Sequence, residues 1–399
     1  MPTVCMYFQV HQPYRLRRYS VFDTEPTYFD EHNNREILRR VAAKCYLPAN
    51  EAILDLVRAT HGRFRVAYSL TGVVVEQFEE YQPEVLESFR RLAETGCVEF
   101  LNETYYHSLA FLYSRDEFQA QVQQHRDMIR RLFGQEPRVF RNSELIYSND
   151  IAHAAAEMGF IGVCAEGADA ILGWRSPAFP YRPPGGDRIT ILLKNYRLSD
   201  DIAFRFSNRA WPEWPVTAEK FAGWVSQLNG SASTVNLFMD YETFGEHQWA
   251  ETGIFEFLRQ LPEAVLKDPA NNFMTPTEVI QAHPAMDEFD APNMISWADT
   301  ERDLSAWLGN AMQSNALHEL YQLEADVKST GDPTLLRDWR LLQSSDHFYY
   351  MCTKYFADGD VHKYFNPYDS PYDSYINFMN VLDNLRARTR RLTRAAQAG

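Results

Sequence analysis

The sequence predicts an α/β protein: a closed β/α barrel followed by a C-terminal helical bundle. Three observations carry that expectation. Through the first two thirds of the chain short apolar runs alternate with amphipathic stretches, about seven times, which implies a parallel sheet with helices outside. The runs are continuous instead of strictly alternating, as strands buried on both faces require. From about residue 290 the texture changes to helical periodicity with no strand-like run. An open doubly wound sheet is the alternative to closure.

"TVCMYFQV" is the first strand, followed by the long stretch "REILRRVAAKCYLPANEAILDLVRAT", broken near Pro48. "FRVAYSLT" is the second and leads into "PEVLESFRRLAETG", with Gly96 placed as a helix C-cap. "CVEFLNET" precedes "SRDEFQAQVQQHRDMIRRLFG", whose Ser114 and Glu117 match a capping box. "PRVFRNSEL" precedes "NDIAHAAAEMGF", and "IGVCAEG" follows. After a Pro/Gly-rich loop at 176–187, "RITILLKNYRL" resumes the strand pattern, and "TAEKFAGWVSQLNG" leads back to "STVNLFMDYETFG". Beyond it, "DTERDLSAWLGNAMQSNALHELYQLEADVKS", "PTLLRDWRLLQSSDHFYYMCTKYF" and "YDSYINFMNVLDNLRARTRRLTRAA" read as three long helices. The expected division is a catalytic barrel over residues 1–288 and a bundle over 289–399 that completes the cleft.

Composition narrows the function. The 399 residues exceed one ordinary domain, and 45% are apolar, ample for a large core. A formal charge of −15 argues against nucleic acid, whose phosphates would be repelled, and leaves neutral partners such as sugars open. The five cysteines are scattered and form no CxxC, which fits a reducing compartment. "MPTVCMYFQVHQP" has no basic segment followed by a long apolar one, and no window approaches the ~18 apolar residues of a membrane span. A cytoplasmic protein without a membrane partner is expected. GxxxxGK[ST], a Rossmann glycine cluster and GxSxG are missing, so phosphate, dinucleotide and serine-hydrolase chemistry fall away.

In β/α barrels the chemistry sits at the C-terminal ends of the strands. Those ends carry His11, Gln12 and Pro13, then Glu103 and His107, then Glu144, and last Asp240 and Glu242. An acid at the mouth of an apolar strand is costly unless solvated, paired or used. Two carboxylates from distant strands in one bowl suit glycoside hydrolysis, which needs one as acid and one as nucleophile or base. The structural alternatives are salt-bridged rim residues for Glu144 and Asp240, and a core histidine bonded to backbone for His11. Glu242, on the same face as Asp240 if the strand continues, is read as a supporting group, and Glu246 as facing solvent. His11, His107, Asp240 and His247 are zinc-binding types, but Gln9 stands where a second histidine of strand one would be, and there is no HExxH. No catalytic metal is expected.

Five segments together resemble glycoside hydrolase family 57, in particular its α-amylase-like branch. "HQP" at 11–13, "ETYYHSL" at 103–109, "RNSELIY" at 141–147, "MDYETFGEH" at 239–247 and "LQSSDHFYY" at 342–350 are similar to its five motifs, in order. The resemblance implies an incomplete (β/α)7 barrel followed by a helical bundle, and retaining chemistry on α-glucans without cofactor or catalytic metal. It implies Glu144 as nucleophile, Asp240 as general acid/base, and an aspartate, Asp346, lent to the sugar site by the helical part. His11, His107, His247 and Asp346 become the candidate substrate-binding residues. Some members place an aromatic where this chain has His247 and a tryptophan where it has His347, positions expected to shape sugar subsites. Trp249, Trp297 and Trp307 are candidates for stacking on sugars, with core filling as the alternative. The expected protein is an α-amylase acting on an α-glucan or maltooligosaccharide. A 4-α-glucanotransferase is the nearest alternative, ahead of a metal-dependent carbohydrate hydrolase and a non-catalytic glucan-binding relative.

Overall fold

The computed structural model describes residues 2–186, 188–354 and 366–398. Its strands are β1 (Thr3–Val10), β2 (Val66–Leu70), β3 (Val98–Phe100), β4 (Val139–Arg141), β5 (Gly162–Glu166), β6 (Tyr181–Arg182), β7 (Thr190–Lys194), β8 (Thr234–Asp240), β9 (Asn272–Phe273) and β10 (Asp287–Glu288). They form two five-stranded sheets, β3-β2-β1-β8 with β9 also on β1, and β10-β6-β7-β5-β4. Every pair is parallel except β6 with β7. Three asparagines lie where the sheets meet. Asn102 bridges Phe140 in parallel. On the other side the Asn195 N–H donates to the Asn236 carbonyl at 2.9 Å, and the Asn236 side-chain amide donates to the Leu193 carbonyl at 2.8 Å. A polar residue inside the apolar β8 thus supplies a bond where the ladder thins.

β1, β2, β4, β5, β7 and β8 are buried on both faces almost throughout, as their apolar runs require. One face of each packs into a small shared cluster that includes Cys5, Tyr7, Ala67, Val139, Cys164, Leu192 and Phe238. The opposite faces, Val4, Met6, Phe8 and Val10 in β1, pack under helices. Burial of each such large side chain contributes roughly 1.5–3 kcal/mol. The C-terminal helices share a core with the outer residues of β4, β5 and β7: Phe140, Val163, Ile191 and Leu193 pack in one cluster with Trp307, Leu317, Trp339, Phe348 and Phe378.

Several local expectations are corrected. The long N-terminal stretch does not break at Pro48. Helix Glu31–Val41 runs into a π turn, Ala42–Tyr46, and on into helix Leu47–Ala59. Pro48 lies just beyond that π turn, so the N–H it lacks falls where the helical ladder is already irregular. The π turn packs on the 3₁₀ turn Tyr241–Thr243 that follows β8, with the Tyr46 hydroxyl donating to Glu242. β8 itself stops at Asp240, so Glu242 is not on a continuing strand face. Helix Gly72–Tyr81, rich in β-branched valine, went unread; Thr71 caps it, and Gly72 is required because a Cβ there would lie 2.4 Å from the Tyr105 ring. Helix Pro83–Ala93 ends before Gly96, which adopts φ +67° just beyond it. Ser114 accepts from the Glu117 N–H at 3.1 Å, but the Glu117 carboxylate turns away to Arg340 and Lys328, so only half of the capping box forms.

The C-terminal stretches are broken helices. The first divides into Ser305–Leu308, Ala311–Gln322 and Glu324–Ser329, the second into Pro333–Leu341 and Ser345–Tyr349. Its Tyr355 and Phe356 lie outside the described residues. The third is one helix, Pro371–Ala398. The break before Ser345 matters for the site. There the chain docks on the loop after β3, with Ser344 bridging Ser108 and the Ser345 N–H donating to the His107 carbonyl at 2.9 Å. Among the described residues no helix is long and apolar enough to cross a membrane.

Candidate active site

Glu144 follows β4 on the 3₁₀ turn Ser143–Leu145 and sits at φ 57°, ψ 23°; Leu145 and His107 also have positive φ. Left-handed non-glycine backbone costs on the order of 1–3 kcal/mol per residue and collects at functional sites. Three donors grip the Glu144 carboxylate. The Ser345 hydroxyl donates to Oε1 at 2.7 Å, the Trp297 indole N–H to Oε2 at 3.1 Å, and His107 Nε2 lies 3.3 Å from Oε1. Burial works to raise its pKa, but the hydrogen bond and charge of His107, with Arg141 behind it, outweigh burial and leave the group below the ordinary carboxylate range.

His107 is clamped from both sides, with Nδ1 2.9 Å from Glu103 Oε2. Burial alone would discharge the ring; the two carboxylates overrule it and raise its pKa to about 9, so both nitrogens donate. Glu103 is fully buried and accepts from Gln9 at 3.0 Å and Ser69 at 2.6 Å as well as from His107. Those donors and Arg141, 3.8 Å away, defeat its desolvation and take its pKa to about 2. His11 stacks on His107 at 4.1 Å. Burial and the His107 charge lower the His11 pKa. A neutral ring satisfies its contacts: Nδ1 accepts from the Thr71 hydroxyl at 2.9 Å and Nε2–H donates to Asp346 Oδ2 at 2.8 Å. Asp346, buried but held by His11, His107 and Ser344, lies well below the usual range. His11 is therefore not a core histidine bonded to backbone.

These pairings give the pH dependence of stability a sign. His107, raised to about 9, contributes fully below its ordinary 6.5 and loses that contribution as pH rises through 9. Glu103, lowered to about 2, contributes above its ordinary 4.5 and loses it as pH falls through 2. His107→Gln is expected to lower Tm at pH 6.5 and to flatten the decline of Tm between pH 6.5 and 9. Thermal melts across that window check it; an unchanged alkaline slope would remove His107 as its source.

Asp240 ends β8 beside Gln9 of β1. Among the described residues no donor hydrogen-bonds its carboxylate. Burial, then the charge of Glu144, push its pKa up to about 6 against Arg141, Lys194 and His107. Glu242, one turn on, is raised to about 8 by burial and by Asp240, although Tyr46 and Gln12 donate to it. Arg141 is fully buried, 4.8 Å from the Trp297 ring, and Lys194 stands 5.5 Å from the same ring.

The structure thus joins Glu144 to His107 and His11 to Asp346 by hydrogen bonds, the two imidazoles by stacking, and Asp240 to Glu144 and His107 by charge. His247 lies past Glu242, whose carbonyl accepts its backbone N–H at 2.8 Å; burial lowers its imidazole to about 4. Glu246 is not solvent-facing: it is buried against Arg40 at 3.3 Å and Lys44 at 3.7 Å. His347, expected to shape a subsite, is buried, with Nε2 3.2 Å from the Leu341 carbonyl and its ring against Phe378. Trp307 is core. Trp297 binds Glu144, and Trp249 lies in a separate cleft. Ser345, Thr71, Arg141 and Lys194 were not anticipated. Lys194 obeys the rule that singled out Asp240, a charge closing an apolar strand; a hydroxyl in a polar run gives no such signal.

Two carboxylates of opposed proton affinity, brought together at strand ends and ringed by histidines, make the site of a glycoside hydrolase. The profile of Glycosyl hydrolase family 57 matches residues 5–295, and the chain belongs to that family. A relative from Methanocaldococcus jannaschii named "Putative alpha-amylase" is 44% identical over 390 residues, 94% of this chain and 82% of its own. The fold is shared with a GH57-type branching enzyme from Pyrococcus horikoshii (TM-score 0.70, 16% identity, 96% of this chain and 88% of that one). It is shared also with the 4-alpha-glucanotransferase from Thermococcus litoralis (TM-score 0.68, 16% identity), where 87% of this chain spans 56% of that one.

Proposed function

We propose that the chain is a cytoplasmic retaining α-amylase that cleaves α-1,4 bonds of α-glucans. One observation carries the reading: Glu144 is held ionised by three donors, while among the described residues none donates to Asp240, whose pKa is pushed up to about 6. Glu144 attacks the anomeric carbon as Asp240 protonates the leaving oxygen. Asp240 then takes a proton from water as that water displaces Glu144, restoring both groups. His11, His107, His247 and Asp346 flank the sugar: Asp346 and His247 meet its hydroxyls, while His11 and His107, whose ring nitrogens are already engaged, hold Asp346 and Glu144 in place for it. The name of the Methanocaldococcus jannaschii relative supports hydrolysis. The absence of a disulfide among the five cysteines fits a reducing compartment. The scaffold is an incomplete (β/α)7 barrel over residues 1–288, its small shared cluster being the barrel interior, with 289–399 as the bundle that closes the cleft. Product analysis on maltoheptaose tests the reading. Chains shorter than the substrate alone are expected; longer chains would make the enzyme a 4-α-glucanotransferase working through the same intermediate.

A further inference from the structure

Outside the catalytic network, a cleft of about 650 Å³ opens between the π turn and the segment after β8. Lys44, Trp249, Glu251, Phe255, Glu256 and Arg259 line it; Glu144, Asp240, His11, His107 and Asp346 do not. Trp249 is 58% exposed there, and the Lys44 ammonium stands 5.9 Å from its ring centroid. The volume falls within the ~300–1,000 Å³ of small-ligand sites. Two cations, Lys44 and Arg259, face two carboxylates, Glu251 and Glu256, so the lining has no net preference for an anion or a cation. An open indole surrounded by donors and acceptors suits a ligand with an apolar C–H face and a rim of hydroxyls.

We infer that this cleft is a second α-glucan-binding site, with Trp249 as its stacking platform; the choice of α-glucan among neutral polyols rests on the proposed function. Gly245, which also lines it, belongs to a turn closed by its N–H on the Gln248 carbonyl at 2.9 Å. Gly245 (φ +112°) presses so closely on the π turn that a Cβ would lie 2.0 Å from the Lys44 carbonyl. A glucan seated here keeps a long polymer at the enzyme without occupying the catalytic pocket.

Calorimetry with maltoheptaose on the Glu144→Gln variant, which cannot cleave, should count two sites, and adding Trp249→Ala should leave one. In the otherwise wild-type enzyme Trp249→Ala should keep kcat/KM on a short aryl maltoside, which also shows that it folds. The KM for soluble starch should rise roughly three- to tenfold, the loss of one stacking contact. Two sites persisting in the double variant, or an unmoved starch KM, would overturn the inference. A single site that ignores Trp249 removes the second site and spares the proposed function; no maltooligosaccharide binding to Glu144→Gln removes both.

Discussion

Glu144→Gln should reduce turnover of maltoheptaose and starch on the order of 10⁴–10⁶-fold, the loss typical when an enzyme's nucleophile is deleted. The amide has no charge to form a bond with the anomeric carbon. Its NH₂ must also replace one oxygen of a carboxylate that now accepts from Ser345 and His107 on one side and Trp297 on the other. Whichever way it turns, one donor meets another. His107 loses one of the two carboxylates that keep it charged, so its pKa should fall from about 9 toward its ordinary value. The core is untouched, and binding of maltooligosaccharide should persist. Single-turnover kinetics beside a thermal melt would decide: a well-folded variant within tenfold of wild type would remove Glu144 from the chemistry.

Asp240→Asn keeps size and shape but cannot trade a proton, so both steps should suffer, by ~10²–10⁴-fold on starch. The loss should shrink for an aryl or fluoride glycoside whose leaving group needs no proton. With such a substrate the first step proceeds and the second stalls, so a glycosyl-enzyme on Glu144 accumulates, and azide should relieve the stall with retained configuration. The pH profile gives a second readout. Asp240 must begin protonated, so kcat/KM of the wild type should fall as pH rises through about 6. The acid limb, set by ionised Glu144, should lie below the ordinary carboxylate range. In Asp240→Asn the limb near 6 should vanish; its survival, or a starch rate near wild type, would make Asp240 a structural carboxylate.

The parts of this site that the sequence announces are those that violate a burial rule. Glu144, Asp240, His107 and His11 are polar groups at the ends of apolar runs, and that expense is visible locally. Glu246 shows the limit. A carboxylate in a turn looks solvated, and only the arrival of Arg40 and Lys44 from some two hundred positions upstream buries it. Ser345 escaped for a related reason, and Trp297, a candidate sugar platform by sequence, instead donates to Glu144; their partner lies 201 and 153 residues away and nothing near them is out of pattern. The C-terminal helices were legible in kind but not in number. Amphipathic periodicity continues across Asn310 and Ser344, while the chain stops there to cap a new helix and to dock on the β3 loop.

The grip on Glu144 also has an order in time. The ribosome adds about 5–20 residues per second, so Ser345 follows Glu144 by roughly 10–40 s. A nascent chain that has already delivered all of β1 to β8 holds its reactive carboxylate by His107 alone, without the indole and hydroxyl that orient it. The full set of donors to Glu144 therefore assembles only once the chain through Ser345 has emerged and folded back.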